Sequence, residues 1–95
     1  MVRSLAIALL LSATPALAQE PVPLKPGPGL DTVQAACGLC HTPNYIRMNS
    51  AFLTPDGWKA EVTKMQTLLG APIDDATAAT IVKYLSDNYA APPKP

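Results

Sequence analysis

The chain has 95 residues, which is enough for one domain and too few for a second. Seven basic residues balance seven acidic ones, so the sequence lacks the positive excess that binding to nucleic acid or an anionic membrane requires. One Trp, one Phe and three Tyr supply little bulk for a core, so we expect a bound group to complete it.

The first 18 residues have the features of a cleaved signal peptide. Arg3 supplies a positive charge, residues 5–11 form an apolar run, and Ala-Leu-Ala at 16–18 is a small-x-small cleavage pattern. The apolar run is too short to span a bilayer, so the sequence predicts no membrane anchor. Export predicts a periplasmic protein, and residues 19–95 then hold six basic and seven acidic side chains.

Residues 19–28 contain four prolines and predict an extended, non-helical arm. The arm is either a floppy tail or a strap laid on a partner subunit, and the sequence leaves both open. A short first helix is predicted over residues 29–36, because Asp31 and Gln34 have the spacing of a capping-box variant.

This helix leads directly into Cys37-Gly38-Leu39-Cys40-His41, which has the C-x-x-C-H pattern of covalent c-type haem attachment. Two thiols one helical turn apart can reach the two vinyl groups of a porphyrin, and the adjacent imidazole then binds the iron. The chain has no other cysteine or histidine. We therefore predict one covalently bound haem c, attached at Cys37 and Cys40 and ligated by His41.

Other interpretations of these residues carry less support. A thioredoxin-like dithiol normally lies in a βαβ context, and no strand-like run flanks the motif. A zinc site needs four ligands, and only three candidates cluster here. A disulfide between cysteines this close would stabilise the chain little. A haem-free dithiol redox protein is the main alternative.

Residues 42–53 show no clear period and predict a loop around the haem edge, with at most one helical turn. Four of its side chains are candidates to hydrogen-bond haem propionates or backbone: Tyr45, Arg47, Asn49 and Ser50. Each of them is equally compatible with an ordinary solvated loop.

A second helix has strong local signals. Thr54 fits its N-cap, Pro55 its first position and Asp56 its first turn. Gly70 fits the C′ position just past its end. Four apolar side chains recur on one face: Trp58, Val62, Met65 and Leu69.

A third helix is predicted from Asp74 or the next residue to about Tyr89. Lys83 and Asp87 have the spacing of an exposed i, i+4 ion pair. The predicted buried stripe contains five side chains: Ala78, Ile81, Val82, Leu85 and Tyr89.

A haem iron bound by His41 needs a group on its opposite face. Once Met1 is removed with the signal peptide, the protein candidates are the thioethers of Met48 and Met65. Met48 lies only seven residues after His41 and would require a nearly straight path round the haem, whereas Met65 lies on an apolar helical face. We favour Met65, with Met48 and a five-coordinate haem as alternatives.

The order of these features resembles small class I c-type cytochromes, in which a helix leads into C-x-x-C-H and a last helix crosses the first. The resemblance implies an all-α, class I cytochrome c fold with about three main helices around one covalently bound haem. It also implies a helix crossing near Gly29, Val33 and residues 84–85.

A narrower resemblance is to the cytochrome subunit of bacterial sulfite dehydrogenases. It rests on five stretches: Gly27 to Leu30, Cys37 to His41, Tyr45 to Ser50, Trp58 to Met65 and Gly70 to Ile73. In that family a molybdenum-cofactor subunit oxidises sulfite and passes single electrons to the haem subunit, which reduces a soluble cytochrome c. The resemblance implies these two redox partners for this chain, with a free diffusible electron carrier as the alternative.

The sequence therefore predicts a haem domain over residues 29–89, followed by a proline-rich tail over residues 90–95. It offers no acid/base pair or nucleophile suited to catalysis, so any enzyme activity would belong to a partner.

Overall fold

The computed structural model describes residues 22–94 and contains four α-helices in that range. They are α1 (Leu30–Cys37), α2 (Asn44–Asn49), α3 (Pro55–Thr67) and α4 (Asp75–Asn88). No strand occurs within these residues, so the all-α prediction is confirmed. The predicted signal peptide lies outside the described residues.

The local signals of α3 act as predicted. The Thr54 side chain accepts a hydrogen bond from the Gly57 N–H at 3.1 Å, and Pro55 is the first helical residue. At the other end Gly70 has a φ of 68°, a left-handed conformation that glycine adopts without steric cost. The C-cap residue is Leu68, so Gly70 is the second residue after the cap and not the first, as predicted.

The bounds of α4 also match the prediction. Asp74 is its N-cap, and its carboxylate accepts a hydrogen bond from the Thr77 N–H at 2.7 Å. Lys83 and Asp87 form the expected exposed ion pair, with 3.0 Å between Nζ and Oδ2. Tyr84 is fully buried beside Ile81 and Leu85, whereas Ala78 and Val82 of the predicted stripe are half-buried.

The start of α1 differs from the prediction. Its N-cap is Gly29, and no side chain caps the helix, so the capping box proposed for Asp31 and Gln34 is wrong. A Cβ atom at Gly29 would lie 3.3 Å from side-chain atoms of Thr80 and Tyr84. Gly29 therefore lets α1 approach α4 closely, which is where the crossing was expected.

The loop predicted for residues 42–53 contains the six-residue helix α2. Ile46 is buried in the core, so tertiary packing stabilises a helix that the sequence does not signal. The Asn49 Nδ2 group donates to the Tyr45 carbonyl at 2.8 Å, and the Ser50 hydroxyl donates to the Arg47 carbonyl at 2.9 Å. Two of the four predicted loop candidates thus bond the backbone of α2.

The described part of the proline-rich arm, residues 22–28, forms a strap on this chain's own last helix. Leu24 is buried in the core, and the Lys25 N–H donates to the Tyr89 hydroxyl at 2.9 Å. The Tyr84 hydroxyl in turn donates to the Lys25 carbonyl at 2.5 Å. Residues 22–28 therefore pack on this chain's own core and do not form a floppy tail.

The core joins the strap to all four helices. Trp58 is fully buried, and its Nε1–H donates to the Tyr89 carbonyl at 2.8 Å, which ties α3 to the end of α4. The Ala91 N–H donates to the Leu53 carbonyl at 2.8 Å and fixes the start of the tail. Among residues 22–94, no helix has both the length and the apolar character needed to cross a membrane.

Candidate functional site

All four helices border one apolar cleft. Its volume is about 830 Å³, a figure that includes the open solvent at its mouth. Every residue predicted to hold the haem lines this cleft: Cys37, Cys40, His41 and Met65.

The C-x-x-C-H motif begins inside a helix and ends just beyond it. Cys37 is the last residue of α1, and its carbonyl accepts a hydrogen bond from the His41 N–H at 3.3 Å. This i, i+4 bond continues the helical direction for one more turn. A Cβ atom at Gly38 would lie 2.7 Å from the Gln34 carbonyl oxygen, so glycine suits this close approach.

Both cysteines are thiols that form no disulfide, with Cys37 half-buried and Cys40 exposed. Burial raises the pKa of the Cys37 thiol. Reactive dithiol proteins do the opposite, because a helix N-terminus lowers the pKa of their nucleophilic cysteine. Cys37 lies at a helix C-terminus, so this arrangement disfavours the dithiol alternative.

His41 and α3 are connected through Tyr45. The His41 and Tyr45 rings are stacked, with 5.0 Å between centroids and 19° between planes. The Tyr45 hydroxyl donates to Glu61 Oε2 at 3.1 Å, and Glu61 Oε1 also lies 3.3 Å from Lys64 Nζ. Burial, followed by the hydrogen bond to Glu61, raises the pKa of Tyr45.

Met65 lies in the cleft wall on α3, next to the loop of residues 70–73. The Ala71 N–H donates to the Met65 carbonyl at 2.9 Å. The Gln66 side chain donates to the Ile73 carbonyl at 3.2 Å and to Asp75 Oδ1 at 2.9 Å, which fixes the far end of this loop. Met48 does not line the cleft and is 73% exposed.

The remaining walls are almost entirely apolar. They comprise, among others, Ile46, Trp58, Val62, Ile73, Ile81 and Leu85. This surface fits a large apolar ring that carries a metal ion and has groups at its edge that react with thiols. The apolar walls would cover the ring, and the few sulfur and nitrogen donors lie in the same cleft. The residues present therefore fit a haem.

The four side chains predicted to hydrogen-bond haem propionates or backbone do not lie together in the structure. Tyr45 alone of the four lines the cleft. Arg47 donates to Asn44 Oδ1 at 3.1 Å on α2, and its buried Nη2 has no hydrogen-bond partner within residues 22–94. Glu61 was not predicted as a site residue. Its position three residues after Trp58 and four before Met65 nevertheless places a carboxylate on the apolar face of the predicted helix.

Within residues 22–94, no group of three or more His, Cys, Asp or Glu side chains lies close enough to hold a metal ion.

An all-α chain with these donors around one apolar cleft has the features of a small haem-binding protein. The family model described as quinohemoprotein amine dehydrogenase A, alpha subunit, haem binding, matches residues 28–94. The chain belongs to this haem-binding family. A search of curated proteins finds no significant match.

Proposed function

We propose that the chain is a periplasmic, monohaem c-type cytochrome that transfers single electrons. The observation that carries this proposal is the cleft, which brings two thiols, an imidazole and a thioether to one apolar surface in a member of a haem-binding family. When bound, the haem supplies a one-electron redox couple, which the side chains themselves lack.

In this proposal each site residue has a distinct role. Cys37 and Cys40 carry the haem through thioether bonds, and His41 and Met65 ligate its iron. A Met/His pair favours a high reduction potential, which suits electron transfer. The exposed Cys40 and His41 leave one side of the cleft accessible to a redox partner.

For the partner we propose the molybdenum-cofactor subunit of a sulfite dehydrogenase, with a soluble cytochrome c as acceptor. Four of the five sequence stretches that carry this resemblance contribute residues to the cleft: Cys37 to His41, Tyr45 to Ser50, Trp58 to Met65 and Gly70 to Ile73. Their clustering supports a shared functional surface rather than five unrelated similarities.

A second candidate follows from the family match. The matched family is described by an amine dehydrogenase alpha subunit, so this chain would serve an amine-oxidising partner instead. A free diffusible carrier is the third possibility, because the chain's balanced charge permits several protein partners.

Size exclusion of a periplasmic extract, followed by haem staining, separates these candidates. We expect the haem to elute with a larger molybdenum-containing protein and to be reduced on addition of sulfite. Reduction by a primary amine instead favours the second candidate, and elution at the size of the mature chain favours a free carrier. A purified protein without covalent haem on a denaturing gel contradicts the cytochrome proposal itself.

The sixth ligand is tested with a matched pair of variants. Met65→Ala removes the thioether in the cleft wall, so we expect loss of the low-spin Met/His absorption spectrum. Met48→Ala removes an exposed thioether and should leave the spectrum unchanged. The reverse pattern assigns the ligand to Met48.

A further inference from the structure

The plane of the His41 imidazole is defined by a neighbouring ring. His41 is exposed, so close packing does not determine its orientation. Its ring instead lies nearly parallel to the Tyr45 ring, at 19° and with centroids 5.0 Å apart. Such a stack restricts the tilt of an imidazole while leaving the nitrogen atoms at its edge accessible.

Tyr45 is itself held at its far end. Its hydroxyl donates to Glu61 Oε2 on α3, and the other carboxylate oxygen of Glu61 is paired with Lys64. A carboxylate with both oxygens occupied has little freedom to rotate. Because α3 also carries Met65, one chain of contacts links His41 to the helix of the second predicted iron ligand, and both ligands line the cleft.

We propose that Tyr45 is a positioning residue for His41: its ring fixes the plane of the imidazole, and the hydrogen bond to Glu61 fixes that ring. The inference rests on the proposed function, in which His41 ligates haem iron. Groups in contact with a metal ligand orient it and tune the metal, and here that group is an aromatic ring rather than a hydrogen-bond acceptor.

The test uses the haem-loaded protein and the electron paramagnetic resonance g-values of the ferric iron, which report axial-ligand orientation. Tyr45→Leu removes the stack, and we expect a clear shift of the g-values. Tyr45→Phe and Glu61→Ala keep an aromatic ring but release its anchor, and should give smaller shifts that resemble each other.

Two further variants separate positioning from other effects. Glu61→Gln removes the charge but keeps an acceptor oxygen for the Tyr45 hydroxyl, so it should retain the wild-type g-values. Phe52→Leu makes a comparable aromatic-to-aliphatic change at a residue that is 76% exposed and does not line the cleft, and it should change nothing. Thermal unfolding confirms that each variant is folded.

Unchanged g-values in folded Tyr45→Leu overturn the inference and leave the cytochrome proposal intact. An equal shift in Phe52→Leu also overturns it, because the effect is then not specific to the stack. If Tyr45→Leu does not fold, Tyr45→Phe and Glu61→Ala decide, and wild-type g-values in both count against the proposal. A wild-type protein that carries no haem overturns both the function and this inference.

Discussion

Two regions of the molecule differ in how their side chains are covered. In the strap side, residues 22–28 pack on α4; in the cleft side, apolar and sulfur-containing side chains border an open cleft. On the strap side, the hydroxyl groups of the buried tyrosines have partners: Tyr84 donates to the Lys25 carbonyl, and Tyr89 accepts from the Lys25 N–H. On the cleft side, Leu69 is 68% exposed, and the two cysteine thiols are unpaired.

This difference indicates which part of the chain holds itself together and which part is shaped for a ligand. Buried aromatic residues with satisfied polar atoms give a stable core without help. Apolar residues around an open cleft gain stability only when something covers them. We therefore expect substitutions on the strap side to act with or without haem, and those on the cleft side to depend on it.

The largest effect is expected from Leu24→Ala. Leu24 is 5% exposed, so its truncation leaves a cavity and should lower the free energy of unfolding by about 2–5 kcal/mol. Chemical denaturation of haem-loaded and haem-free protein should give similar losses. Val22→Ala, at a residue that is 64% exposed on the same strap, is the control and should change stability by less than about 0.5 kcal/mol.

Tyr84→Phe removes only the hydroxyl that bonds the strap. The loss of one hydrogen bond to the Lys25 carbonyl should cost about 1 kcal/mol of unfolding free energy. Burial raises the pKa of Tyr84, so the wild-type hydroxyl stays protonated near neutral pH and can donate. Hydrogen exchange should show faster exchange of the Lys25 amide, and an unchanged rate contradicts this account of the strap.

Leu69→Ala distinguishes the two sides most directly. Because Leu69 is largely exposed, its truncation should change the stability of the haem-free double variant Cys37→Ser, Cys40→Ser by less than about 0.5 kcal/mol. In the haem-loaded protein the same truncation should be more destabilising, since Leu69 lines the cleft. Equal effects in the two forms would show that the comparison is wrong.

The smallest expected effect is the loss of stability that follows protonation of the Asp74 carboxylate at low pH. The hydrogen bonds from Thr77 hold the pKa of Asp74 below its usual value of 3.8. A carboxyl group with a lowered folded-state pKa stabilises the fold above its unfolded pKa, and that contribution is lost as the pH falls through the folded-state value. Asp74→Asn keeps an N-cap acceptor without the charge, so its stability should fall less in this range. Denaturation at neutral pH and below 3.8 measures the difference.

The sequence predicts the parts of this fold that depend on near neighbours. The N-terminal ends of α3 and α4 follow from Thr54, Pro55 and Asp74. Each N-cap side chain bonds a backbone N–H only three residues further along the chain. The site residues Cys37, Cys40 and His41 belong to one contiguous motif, and their assignment as haem ligands stays a prediction.

The remaining features depend on residues far apart in the chain. Helix α2 forms because Ile46 is buried in the core, and the strap depends on a bond between Lys25 and Tyr89, which are 64 positions apart. Periodicity within a short window contains no information on such contacts. The Tyr45–Glu61 hydrogen bond joins residues 16 positions apart, so periodicity does not predict it either.

The strap also orders the steps by which the chain folds. Lys25 bonds residues 88 and 89, so this contact cannot form until nearly the whole chain has been synthesised. Contacts between distant residues close large loops and form slowly, whereas α3 and its cap need only local residues. We therefore expect α3 to form before the strap packs on the last helix.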